Sequence, residues 1–181
     1  MKKWLALALA LAASTAPAWS APISADGSWN AFDVDPFSAT SGGLEWISLD
    51  GSALSFELTL SGPATLTVVD GGFAGDRFQV FDNGVSLGWT SPAAGSYPAS
   101  VGLDFDAALA DPGYSRATFT LGAGTHSITG LLSASALDDT GAAINATVGA
   151  VSVTAVPEPT STALLLAGLV AMGAFGRRRR A

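Results

Sequence analysis

Alternation with a period of two limits what this chain can fold into more than any other feature. Residues 55–61 read Ser-Phe-Glu-Leu-Thr-Leu-Ser, which puts Phe56, Leu58 and Leu60 on one face of an extended strand. Residues 65–68 continue as a strand after a Gly62-Pro63 turn, and 117–121 alternate again. Residues 125–129 follow after Gly122-Ala123-Gly124, a spacing that predicts a hairpin with 117–121. Residues 77–81 and 85–89 flank Asp82-Asn83-Gly84. Asn-Gly between apolar strands predicts a type I′ hairpin, because both central residues need positive φ. The last segment changes parity: Ile144, Ala146 and Val148 share one face, Val151 and Val153 the other. A bulge near Gly149-Ala150 would restore a single inward face. Between residues 22 and 155 the only hint of helix is one turn at 107–110. About eight short strands with Gly-rich turns predict an all-β fold, an antiparallel β-sandwich of jelly-roll type.

Charge is unevenly placed. Lys2, Lys3 and Arg177 to Arg180 sit at the two ends, leaving Arg77 and Arg116 as the only basic residues between them. Fourteen of the 15 acids precede Pro157, so the middle carries a net charge near −12 against −7 for the whole chain. Such a surface repels phosphate backbones and excludes nucleic acid as a partner. The chain has no cysteine, so the core alone must stabilise it. Its 181 residues suit one domain plus targeting segments.

The ends read as addresses. Residues 1–21 combine a basic start, an apolar run from Trp4 to Ala13 and small residues, the pattern of a secretory signal peptide. The run is too short to span a bilayer core of ~30 Å. Cleavage is expected in the 18–21 window, after Ala18 or after Ser20. Residues 22–155 form the exported domain, and 156–181 a second signal. There, Val156-Pro157-Glu158-Pro159 precedes an uncharged run to Gly176 and the cluster Arg177-Arg178-Arg179-Arg180. Residues 160–176 would make about 25 Å of helix, the low end for a membrane span. The arginines should stay cytoplasmic, giving N-terminus out and C-terminus in. Pro157 and Pro159 resist helix and hold Glu158 in an extended strip at the outer membrane face.

Val-Pro-Glu-Pro, an apolar helix and a terminal Arg cluster, in that order, resemble the PEP-CTERM protein-sorting domain of Gram-negative bacteria. The resemblance covers about the last 26 residues. It implies passage through the general secretory translocon, removal of the signal peptide by signal peptidase, a transient inner-membrane anchor and processing by an exosortase. The destination implied is the cell envelope or exopolysaccharide matrix. By the same resemblance Pro157, Glu158 and Pro159 are the recognition motif and Arg177, Arg178, Arg179 and Arg180 the stop. The stretch 75–88, with 124–128, is similar to the exported domain of many proteins carrying this tail, a similarity that brings no activity with it.

Little in the middle promises catalysis. His126 is the only histidine and shares strand parity with Ile128 and Leu132, so it points inward. No Gly-x-Ser-x-Gly elbow, cysteine nucleophile or Cys/His zinc set exists. Asp33/Asp35 and Asp104/Asp106 are i, i+2 pairs whose side chains would share a face in extended chain. A glycosidase needs two such carboxyls across a cleft. Asp70 and Asp76 flank the loop 71–75 and are candidate calcium ligands, calcium taking hard oxygen donors. The alternative is a solvated acidic surface. Trp29, Trp46, Trp89, Tyr97 and Tyr114 are candidates for stacking on sugar rings, with Trp89 and Tyr97 the most exposed by position; core packing is the alternative. Asn145-Ala146-Thr147 fits a glycosylation sequon, although strand chemistry explains it as well. The expectation is an exported protein that is not an enzyme and needs no cofactor. A carbohydrate-binding module is the alternative, and a secreted hydrolase ranks below it.

Overall fold

A computed structural model describes residues 19–35, 44–48 and 50–157. Along these residues run β1 (Trp19–Pro22), β2 (Asp26–Val34), β3 (Leu54–Leu60), β4 (Ala64–Asp70), β5 (Arg77–Asp82) and β6 (Val85–Trp89). After them come α1 (Phe105–Ala110), β7 (Arg116–Leu121), β8 (Gly124–Ala134) and β9 (Thr147–Ala155). One sheet has the order β1-β3-β8-β5-β6 and the other β2-β9-β4-β7. Neighbours are antiparallel except β1, which lies parallel to β3. Only the β5–β6 connection stays within a sheet. Without β1, the orders 3-8-5-6 and 2-9-4-7 are the interleaved pairing of a jelly roll.

Alternation builds the core. Phe56, Leu58 and Leu60 of β3, Leu66 and Val68 of β4, Phe78 and Val80 of β5, Ile128 and Leu132 of β8, and Val151 and Val153 of β9 meet in one buried cluster between the sheets. Its centre is aromatic. Trp46 stacks on Phe32 with ring centroids 3.9 Å apart, and Phe78 meets Phe32 edge-on at 5.0 Å. Two bare backbones make room for this pair. A Cβ on Gly130 would lie 2.1 Å from the Trp46 ring, and one on Gly149 would lie 2.4 Å from the Phe32 ring. The segment carrying Trp46 ties the sheets together: Ile47 bridges Asp33 of β2, and Glu45 bridges Leu131 of β8.

The Asn83-Gly84 hairpin forms as its chemistry requires, with φ of 50° and 77° at its two central residues. The hairpin expected between 117–121 and 125–129 does not form. β7 pairs with β4, and β8 with β3 and β5, so Gly122-Ala123 leads from one sheet to the other. The bulge expected near Gly149-Ala150 is also absent, and β9 runs in unbroken register against β4. A register shift lies instead in β2, between Asp26 and Trp29, where Ser152 donates to the Gly27 carbonyl at 2.9 Å.

The parity change in β9 has a different cause: this strand is buried on both faces. Gly149, Val151 and Val153 face the main core. Val148 and Ala150 face a second cluster formed with Val69, Phe105, Ala108 and Tyr114. Helix α1 roofs the four-stranded sheet here. Asp104 caps its N-terminus by accepting from Ala107 N at 3.0 Å, and Arg116 donates to the Leu109 and Asp111 carbonyls at its other end.

The fold also starts earlier than residue 22. Trp19–Pro22 pair with residues 54–57, so 19–21, read as the end of the leader, belong to the edge strand β1. Residues 1–18 and the span expected at 160–176 lie outside the described residues. Among those described, no helix is long and apolar enough to cross a membrane.

Candidate functional site

The end of β4 and the start of β5 bring two carboxylates into the interior. Asp70 has the parity of Leu66 and Val68, and Asp76 that of Phe78 and Val80, so both point between the sheets. They are 0% and 1% exposed. Asp70 Oδ2 accepts from Gly75 N at 3.1 Å, whereas its Oδ1 is buried with no hydrogen-bond partner among the described residues. Asp76 Oδ1 accepts from Ala136 N at 2.7 Å, and the Thr147 hydroxyl also donates to this carboxylate.

Burial pushes Asp70 up to about 8. The adjacent Asp76 charge adds to the rise, and the amides of Gly75, Asp76 and Gly71 oppose it. Burial likewise pushes Asp76 up to about 6, against its bonds from Ala136 and Thr147. No ion pair to either carboxylate relieves them: among the described residues the ion pair is His126 with Asp82.

The loop between the two acids is held on all sides. Gly71 N donates to Val148 O at 2.9 Å, and Gly72 N to Gly102 O at 2.8 Å. The Ser100 and Tyr114 hydroxyls both donate to Gly72 O, at 2.8 and 2.9 Å. Ala74 N donates to Ser96 Oγ at 2.8 Å. The backbone is pressed close at both ends: a Cβ on Gly71 would lie 2.9 Å from the Phe105 ring, and one on Gly75 would lie 2.7 Å from Ala136 Cα. These contacts hold the loop and, with it, the two carboxylates in place.

The other carboxylates singled out by spacing have local duties. Asp104 and Asp106 do not share a strand face, since one caps α1 and the other accepts from Trp29 Nε1 at 2.9 Å. Asp33 is half-buried and its carboxyl raised, by burial first and by the charge of Asp35 second; it accepts from Val34 N at 2.7 Å. Asp35 accepts from Asn145 Nδ2 at 3.4 Å. His126 is buried between Asp82, at 2.7 Å from Nδ1, and the Gly122 carbonyl, at 3.0 Å from Nε2. Among the described residues, no three His, Cys, Asp or Glu side chains gather as a metal set.

The aromatics divide in two. Trp46 and Tyr114 are core, and Trp29 is tilted against Phe105. Trp89 and Tyr97 are 52% and 43% exposed. Tyr97 packs on Phe73 at 5.5 Å, a neighbour that puts it beside the 71–75 loop.

Thr147 is the site residue that sequence reasoning missed. It entered only as the end of a sequon, yet its parity with Val151 and Val153 turns it inward onto Asp76.

At the other signal, β9 ends at Ala155 and Val156 N donates to Pro63 O at 2.9 Å. Pro157 is exposed. Glu158, Pro159 and Arg177 to Arg180 lie outside the described residues.

Three comparisons bear on the chain. No curated protein matches it. Among solved structures, the pre-peptidase C-terminal domain of a collagenase from Bacillus anthracis aligns with 78% of this chain and 100% of its own, at 8% identity and a TM-score of 0.39. Residues 155–180 match the family model of the PEP-CTERM protein-sorting motif. The chain thus carries, directly after the last strand of its β domain, the C-terminal sorting signal of the PEP-CTERM family.

Proposed function

We propose that this is an exported, non-enzymatic protein of the cell envelope or extracellular matrix, held briefly in the inner membrane and released by an exosortase. The observation that carries the reading is the sorting motif at 155–180, which begins where β9 ends. In this reading residues 160–176 park the chain across the membrane, and Arg177 to Arg180 hold the cytoplasmic side. Pro157-Glu158-Pro159 is then presented outside. The pairing of Trp19–Pro22 with Leu54–Glu57 favours signal-peptide cleavage after Ala18 over a cut after Ser20, which would remove two of those four paired residues.

Intact-mass analysis of cell fractions tests both cuts. The expected mature form begins at Trp19 and lacks the arginine quartet. Glu158→Ala is expected to accumulate as an uncleaved membrane form. Normal maturation of that variant would remove Glu158 as the determinant.

A second reading, contact with exopolysaccharide, rests on the exposure of Trp89 and Tyr97. Co-sedimentation with the producer's own polysaccharide should then fall on Trp89→Ala. A protein that stays in solution with or without Trp89 rejects it.

A further inference from the structure

We propose that Asp70 and Asp76, together with the Thr147 hydroxyl, bind a calcium ion at this end of the sandwich. The argument starts from cost. A carboxylate removed from water needs compensation, and two side by side need more. Asp76 has bonds from Ala136 and Thr147, but Asp70 keeps one fully buried oxygen with no partner among the described residues. Neither Arg77 nor Arg116 is spare to neutralise the pair. Arg77 Nε donates to the Thr90 carbonyl at 3.0 Å, and Arg116 is committed to the end of α1. Among the described residues, this leaves a cation or a proton to balance the charge.

The surroundings favour a cation of one kind. The donors are hard oxygens, two carboxylates and a hydroxyl, which is calcium chemistry. Magnesium gives up its waters reluctantly and suits sites that leave room for several of them. Here Asp70, Asp76 and Thr147 are all at most 2% exposed, so the larger and more readily dehydrated ion fits better. The loop is preorganised by the Ser96, Ser100 and Tyr114 hydroxyls, so little ordering remains to be done on binding. This inference does not depend on how the chain is exported or processed.

The test uses the full-length chain in detergent, treated with EDTA at about pH 8 and then titrated with calcium chloride or magnesium chloride. The expected result is one calcium bound per chain by calorimetry. At about a hundredfold excess over Kd the melting temperature should rise by roughly 5–10 °C, with a smaller response to magnesium. Asp70→Asn should remain folded and lose both the binding heat and the calcium-dependent rise. An unchanged melt with no binding heat in the wild-type chain would assign the charge balance to a proton and overturn the proposal. A full calcium response in Asp70→Asn would overturn it as well. If Asp70→Asn fails to fold, the wild-type titration decides alone.

Discussion

The two sheets share an interior but face different surroundings on their backs. The outer side of the five-stranded sheet is wet: Thr59 of β3 is exposed, as are Thr125 and Ser133 of β8. The outer side of the four-stranded sheet is roofed at one end by α1, Phe105 and Tyr114. A strand wetted on one face must alternate, whereas a strand covered on both need not. β3 therefore announces itself in sequence, and β9 misleads. The same roof presses on the 71–75 loop, whose flanking residues are Asp70 and Asp76.

The inner faces should prove equally intolerant in both sheets, and this is the largest expected effect. Gly130→Ala and Gly149→Ala, one in each sheet, should each cost about 3 kcal/mol or more in denaturant unfolding, since the new methyl meets Trp46 or Phe32. A loss under about 0.5 kcal/mol at either glycine would show that the aromatic pair repacks freely.

The outer faces should differ. Phe105→Ala removes the roof and is expected to cost about 3 kcal/mol, whereas Thr59→Ser on the wet side should stay within about 0.5 kcal/mol. Equal losses would erase the distinction between the sheets.

The buried carboxyls sharpen it further. Raised to about 8 and about 6, Asp70 and Asp76 keep protons in the folded chain that the unfolded chain gives up near 3.8. The folded state then binds more protons, so this contribution is full below pH 4 or so and fades as pH rises through both values. In EDTA, urea unfolding should show a loss on the order of a few kcal/mol between about pH 5 and about pH 8.5. A flat profile would mean that the two groups are not sealed from water. The smallest effect is at the roof's own edge: Asp104→Ala should cost about 1 kcal/mol by removing the cap of α1.

Legibility followed local chemistry. The β5–β6 hairpin was readable because Asn83 and Gly84 carry their own backbone preference. The partner of β7 was not, because Gly122-Ala123-Gly124 looks the same whether the chain doubles back or changes sheet. Inward faces were readable in β3 and β8 from alternation alone. Asp70 and Asp76 were visible as acids beside a glycine loop, but their depth depends on Phe105, Ala136 and Thr147, all distant in sequence. The edge strand β1 was hidden because Trp19 to Ala21 also satisfy the pattern of a leader. Tyr97 and Trp89 were correctly separated from the buried Trp46 and Tyr114 by their place beside a Ser-Pro-Gly loop.

The bond from Val156 to the Pro63 carbonyl has a mechanical consequence. It clamps the chain to the β3–β4 turn one residue before Pro157, so no slack separates the β domain from the first residues of the sorting motif. If an exosortase cuts there as proposed, it has to dock against the β domain and cannot reel in slack. Once cut nearby, the body would drift off with scarcely any ragged end for a second enzyme to seize.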